Sequence, residues 1–281
     1  MAGVSMKDIK LRIRSMESTK HITKAMEMVA ASKLRRAEEN VRRSRPYFDI
    51  IYKTAAEIAA RDSEFSSPYL IERGIKKSLY IVIGGDRGLA GGYNHNVFMM
   101  AEEEMRSKPS AVLPIGKRAL ENMRAHGFEV YTDAYPVAAE LSISDSFSMS
   151  KLVCDGFLAG EFDEVFIVYT HYASMLTQTP AMRRILPLTP VENVDDDNSD
   201  TLYEPDGNTV FDRIIPEYIG GIIYGAICDS EASEQAARRN AMDSATKNAE
   251  EMIEDLSLKY NRARQGAITQ EITEIVAGAG D

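Results

Sequence analysis

The stretch EYIGGIIYGAICDSEASEQAARRNAMDSATKNAEEMIEDLSLKYNRARQGAITQEITEIVAGAGD, residues 217–281, contains no proline and places apolar residues three and four apart along its length. Ile219, Ile222, Ile223 and Ala226 begin the stripe. Ala236, Ala237, Ala241, Ala245 and Ala249 carry its alanine-rich middle, and Met252, Leu256, Tyr260, Ala263, Ala267, Ile272 and Ile275 extend it. That spacing predicts one helix face. At 1.5 Å per residue the helix is about 95 Å long, far beyond the usual three turns. No domain of this size can enclose it, so its stripe needs a long partner.

The partner is at the other end of the chain. Residues 1–45 contain no proline and only Gly3. Ile9, Ile13, Met16, Ile22, Met26, Val29, Ala30, Leu34, Ala37 and Val41 form a second stripe. The pattern passes Pro46 and resumes at Phe48, Ile51, Ala55 and Ile58, so Pro46 is expected to kink the helix without ending it. An N-terminal helix over 1–60 and a C-terminal helix over 209–281 are expected to pair as a long antiparallel coiled coil.

Between them the texture changes. SLYIVIGG (78–85), AVLPIG (111–116), EVYTDAY (129–135) and EVFIVYTHY (164–172) read as strands. NVFMMAEEEMRSK, KRALENMRAHG and SDSFSMSKLVCDGFLAGEF read as the helices connecting them. This alternation predicts a mostly parallel, Rossmann-like α/β domain over 75–192. An acidic loop over 193–208, with Asp195, Asp196 and Asp197, leads on to the C-terminal helix.

The net charge of −10 conceals an asymmetry: residues 1–45 carry +7 and the remainder −17. The basic residues lie at helical spacing without interleaved aromatics, which favours a solvated face or an acidic protein partner over nucleic acid. No apolar run approaches the roughly 18–20 residues that span a bilayer, and the start lacks the apolar core of a signal peptide. Cys154 and Cys228 show no paired spacing and read as buried thiols.

GGDRGLAGGYNHN (84–96) follows a strand and opens a helix, where a phosphate cradle would sit. Gly85, Gly88 and Gly91 are three apart, which matches neither GxGxxG nor a P-loop. The expected reading is a tight turn with glycines at positive φ and Asn94 capping the helix. His21, His95, His126 and His171 share no metal-ligand spacing. Neither a nucleophile elbow nor an acid–base carboxylate pair stands out. No catalytic, cofactor or metal residue is assigned.

The last part of the quoted stretch is crowded differently. Arg262, Arg264, Gln265, Thr269, Gln270 and Glu271 accompany Ile268, Ile272, Ile275 and Val276. The N-terminal helix starts too late to cover this tip, so its burial is expected in another protein. A nucleotide-using enzyme with helical arms, supported only by the glycine turn, is one competing reading. A coiled-coil scaffold or DNA-associated protein, supported by the basic arm, is another.

ITKAMEMVAASKLRRA (22–37), DRGLAGGYN (86–94), SEQAARRNAMDSAT (233–246) and YNRARQGAITQEITEIVAGA (260–279) resemble the gamma subunits of bacterial F-type ATP synthases. Ala90 stands where that family often has cysteine. The resemblance implies a non-catalytic central-stalk rotor that couples proton-driven c-ring rotation to ATP synthesis and hydrolysis on the beta subunits. It implies an alpha3beta3 hexamer around the coiled coil, with the epsilon subunit and the c-ring at the α/β foot. The implied place is peripheral, on the cytoplasmic face of the bacterial cell membrane. By motif position, Met26 and Arg238 are expected beside the beta lobes. Arg264, Gln265, Thr269 and Glu271 are expected beside alpha and beta loops at the tip, and Lys33 on a basic face toward the ring.

Overall fold

The computed structural model describes residues 5–61, 67–188, 204 and 206–278, without the side chains of 44, 45, 48, 49, 52, 55–61 and 276. The expected acidic stretch with Asp195–Asp197, and the side chains of Phe48, Ala55, Ile58 and Val276, therefore lie outside the described residues. Helix α1 spans Met6–Arg61 with Pro46 inside it, and α5 spans Gly207–Gly278 with Pro216 inside it. Between them run β1 (Ser78–Ile83), α2 (Tyr93–Met105), β2 (Ser110–Ile115), α3 (Lys117–Ala125), β3 (Glu129–Val130), α4 (Ile143–Ala159), β4 (Glu164–Tyr172) and β5 (Gln178–Leu186). The chain divides into two compact units: Met1–Ala31 with Arg238–Asp281, and Ser32–Ala237.

In the first unit α1 and α5 run antiparallel. Thr23 meets Thr246 and Lys20 meets Glu250, so opposed residues have numbers summing to about 270. Among the shielded residues of α1, Ile9, Ile13, Met16, Lys20, Thr23, Glu27 and Ala30 form one series, with Met26 and Ala31 half-buried beside it. The facing series on α5 is Met242, Thr246, Ala249, Ile253, Leu256, Tyr260 and Ala263, with other half-buried residues such as Ala241, Ala245 and Ser257 at its flanks. Both series alternate steps of four and three, the heptad signature of a paired seam. This corrects the stripe expected from apolar residues alone. Ile22 and Val29 stand 58% and 57% exposed, and Met252 is also exposed. The polar residues Lys20, Thr23 and Glu27 take seam positions instead, because each reaches a partner there or keeps its head in water.

The second unit holds a five-stranded sheet in the order β3-β2-β1-β4-β5. β1 pairs in parallel with β2 and with β4, while β5 is antiparallel to β4. On one face Tyr80 and Val82 pack on Val97, Phe98 and Ala101 of α2 and on Ala119 and Met123 of α3. On the other, Leu79, Ile81 and Ile83 pack on Met149, Val153 and Phe157 of α4. Phe211, Ile215, Ile219 and Ile223 of α5 join this second core. Burying each such side chain contributes roughly 1.5–3 kcal/mol, so α5 is fastened to the sheet as firmly as α4 is.

Two strands differ from expectation. EVYTDAY is a strand only over Glu129–Val130, because β3 is an edge strand and pairs two residues of β2. β5 carries no strand signal in its sequence, because QTPAMRRIL holds a proline and two arginines, and an edge strand tolerates both. α4 is framed as its sequence suggests. Ser142 and Asp145 form a reciprocal capping box, and Gly160 closes the helix at φ +75°.

Candidate functional interface

The glycine turn after β1 is a packing device. Asn94 does not cap α2; its Oδ1 accepts from the Gly85 N–H at 2.8 Å and so staples the loop. Gly92 is the N-cap and supplies no side chain. Of the turn's glycines Gly91 alone has positive φ, at +56°, and Leu89 shares that region at +63°. Gly84 and Gly85 serve close approach instead, since a Cβ on either would meet Phe98 or Glu234 at under 3 Å. Asp86 accepts from the main-chain N–H groups of Lys117, Ala138 and Ala139. Glu231 and Glu234 line a small pocket with Gly84 and Lys33. The Gly85 N–H and the N–H groups around Asp86 are thus spent on the chain's own oxygens, and the neighbouring charge is negative, which disfavours a phosphate there.

Burial pushes the Glu231 carboxyl up, and repulsion from Glu234 adds to this while Lys33 partly offsets it. Lys33 therefore balances an acidic cluster of its own unit. The histidines stay apart: His21 and His95 are exposed, His126 Nδ1 lies by Asn122 O, and His171 Nδ1 lies 2.8 Å from Asp229. Among the described residues no cluster of His, Cys, Asp or Glu could hold a metal ion, and no helix is long and apolar enough to cross a membrane.

The exposed features lie on the helices. In the first unit Met26 and Arg238 are half-buried at the flanks of the seam. Leu11, Ile22, Met28 and Val29 of α1 and Met252 and Leu258 of α5 are exposed apolar side chains. The seam closes with Ala263; the next heptad position, Ala267, is exposed. By the register of Thr23 with Thr246, the start of α1 lies opposite about residue 264, so nothing described opposes α5 beyond it. There Arg264, Gln265, Thr269 and Glu271 are all exposed, with Ile268, Ile272 and Ile275 at 47%, 56% and 66%. Thr269 and Thr273 hydroxyls donate to carbonyls four residues back, and Gln270 bonds Glu274, so these polar groups of the tip are satisfied within their own helix.

Sequence reasoning missed a second set. Thr170, His171 and Tyr172, at the end of β4, each bond to α5 or α1: Thr170 to Ser230 and Ser233, His171 to Asp229, and Tyr172 to Glu38. The available signal was a pair of serines three apart in the alanine-rich stretch of α5.

A doubly wound domain inserted between two helices that pair with each other, one ending in a bare apolar tip, defines a shaft-bearing protein that completes itself on partners. Comparison with known proteins narrows this class. The family model described as ATP synthase matches residues 5–280. An ATP synthase gamma chain of Ruminococcus albus is 46% identical, over 96% of both chains. One of Acetobacterium woodii, named as sodium ion specific, is 38% identical over 98% of both. The chain belongs to the ATP synthase gamma-chain family. Its fold is also that of a chain in the Euglena gracilis mitochondrial ATP synthase rotor, with TM-score 0.63 and 17% identity, covering 94% of this chain and all of that one.

Proposed function

We propose that the chain is the non-catalytic central-stalk rotor of an F-type ATP synthase, coupling ion-driven rotation of a c-ring to ATP synthesis and hydrolysis on the beta subunits. The observation that carries this reading is the tip of α5. An isoleucine-bearing helix end that no described residue of the chain covers is best buried by a sleeve of other subunits. In this reading Arg264, Gln265, Thr269 and Glu271 meet alpha and beta loops, Met26 and Arg238 meet the beta lobes below, and Lys33 marks the basic face of α1. The α/β domain over 75–192 is the foot, joined to the epsilon subunit and the c-ring. The two helices, over 1–60 and 209–281, are the shaft. The complex places the chain peripherally on the cytoplasmic face of the membrane. Catalysis stays with the beta subunits, each biased in turn by an asymmetric shaft that interacts differently with each of their conformations.

A tagged chain expressed in its own cell and purified gently brings down alpha, beta and epsilon subunits if this holds. Recovery of the chain without them overturns the reading. Steeply salt-dependent DNA binding by the purified chain would favour the scaffold alternative.

A further inference from the structure

Three consecutive residues at the end of β4 are bonded to the two long helices, all within the unit Ser32–Ala237. β1 pairs with β4 only as far as Val168, which leaves the main chain of Thr170 without a strand on that edge. The N–H and C=O of Thr170 both face that edge, away from Pro180 of β5 across the ladder. Helix α5 fills the vacated edge. The Ser230 hydroxyl accepts from Thr170 N–H at 3.3 Å, and the Ser233 hydroxyl donates to Thr170 O at 3.1 Å. Two side chains one helical turn apart thus continue a sheet ladder. All three residues are at most 2% exposed, so water cannot substitute for either bond. His171 then pairs with Asp229 at 2.8 Å, and the Tyr172 hydroxyl donates to Glu38 of α1 at 2.5 Å. Beside this, Leu34 and Ala37 pack against Ala232 and Ala236 with Tyr172 on their border.

We propose that this splice of Thr170, His171 and Tyr172 with Ser230, Ser233, Asp229 and Glu38 transmits torque between the foot's sheet and the shaft. The proposal rests on the rotor reading above. Apolar packing is non-directional, and alanine faces offer little to stop one helix sliding on another. Hydrogen bonds in a dry site fix both distance and direction, and here they grip both helices from one strand end. A load applied to the sheet reaches α5 and α1 together, without twisting one against the other.

The test uses the assembled enzyme in inverted membrane vesicles, with ATP hydrolysis and ATP-driven ion pumping read on the same preparation. Ser230→Ala with Ser233→Ala is expected to leave hydrolysis running while ions pumped per ATP fall at least about threefold. Tyr172→Phe and Asp229→Ala, at the partly buried rim of the splice, remove the Glu38 and His171 bonds respectively. They are expected to lower the same ratio by less, and they decide the matter if the double serine variant does not assemble. A merely structural role would lower the melting temperature and leave the ratio unchanged; an unchanged ratio in every assembled variant overturns the proposal. Failure of the unmodified chain to assemble with alpha and beta would instead overturn the rotor reading beneath it.

Discussion

The hydroxyls of Thr23 and Thr246 meet at 2.7 Å inside the helix seam, with both residues less than a tenth exposed. The Thr246 hydroxyl also lies 2.8 Å from Met242 O and that of Thr23 3.1 Å from Lys20 O, so either hydroxyl can donate to the other while its partner donates to its own helix. Either hydroxyl therefore still has a carbonyl within its own helix to bond when the other is removed. Replacing either threonine alone by valine should therefore cost only about 1 kcal/mol. Replacing both, which leaves no buried hydroxyl, should cost less than the two single losses combined. A double-mutant cycle by denaturant unfolding reads the coupling; strict additivity would show that the contact contributes nothing.

The same pair shows what the sequence could and could not reveal. Helix lengths were legible because proline is absent from most of both ends and apolar steps of three and four persist. The phase of the seam was not, because Ile22 and Val29 outrank Lys20 and Thr23 on any apolar scale. Only the opposing helix shows that Thr23 has a hydroxyl to meet. The α/β core was legible strand by strand where strands are buried on both faces, as in LYIVI, and illegible where β5 runs along the edge. Of the interface, the bare tip followed from unequal helix lengths. The splice did not, since serine in a helix reads as a weak former until Thr170 is placed beside it.

Ile268, Ile272 and Ile275 are about half exposed or more and contribute little to the isolated chain. Changing all three to serine should alter the unfolding midpoint of the purified chain by no more than about 0.5 kcal/mol. The same triple variant should assemble poorly with alpha and beta, because each isoleucine buried in a sleeve contributes roughly 1.5–3 kcal/mol. Normal recovery of the complex would remove the tip as a bearing.

Gly116 and Gly88 make a matched contrast. Gly116 has φ +92°, and a Cβ there would sit 2.2 Å from the Gly84 carbonyl oxygen. Gly116→Ala should destabilise by more than about 3 kcal/mol, since backbone strain of 1–3 kcal/mol adds to a clash with main chain that cannot rotate away. At Gly88 a Cβ meets nothing within 4 Å, and Gly88→Ala should stay within about 0.5 kcal/mol. Thermal melts of the two variants side by side settle the comparison.

Cys154 and Cys228 are buried, and burial pushes both thiols up to about 11. Neither supplies an appreciable thiolate fraction at neutral pH. The native chain should take up no alkylating reagent over minutes, and two equivalents should react once it is unfolded. Rapid labelling of the folded chain would contradict the packing of Cys154 against Val153 and Phe157 in the second unit's core.

Glu231 should make stability depend on pH in the unusual direction for a carboxylate. Its folded value is raised, chiefly by burial and then by Glu234, with Asp86 adding to the repulsion and Lys33 opposing it. Above the folded value the group is charged in both states, so the folded chain bears the whole penalty. As pH falls through that value the folded chain takes the proton first and the penalty lifts; below the unfolded value, about pH 4, it is gone. Glu231→Gln removes the charge at every pH and keeps the shape. The variant should be more stable than the parent near neutrality, with the gap closing on acidification toward about pH 4. Denaturant midpoints across that range measure the gap. A variant less stable than the parent at neutral pH would mean that Lys33 holds Glu231 as a net favourable ion pair, and the cluster beside the glycine turn would then be a clasp rather than a strained pocket.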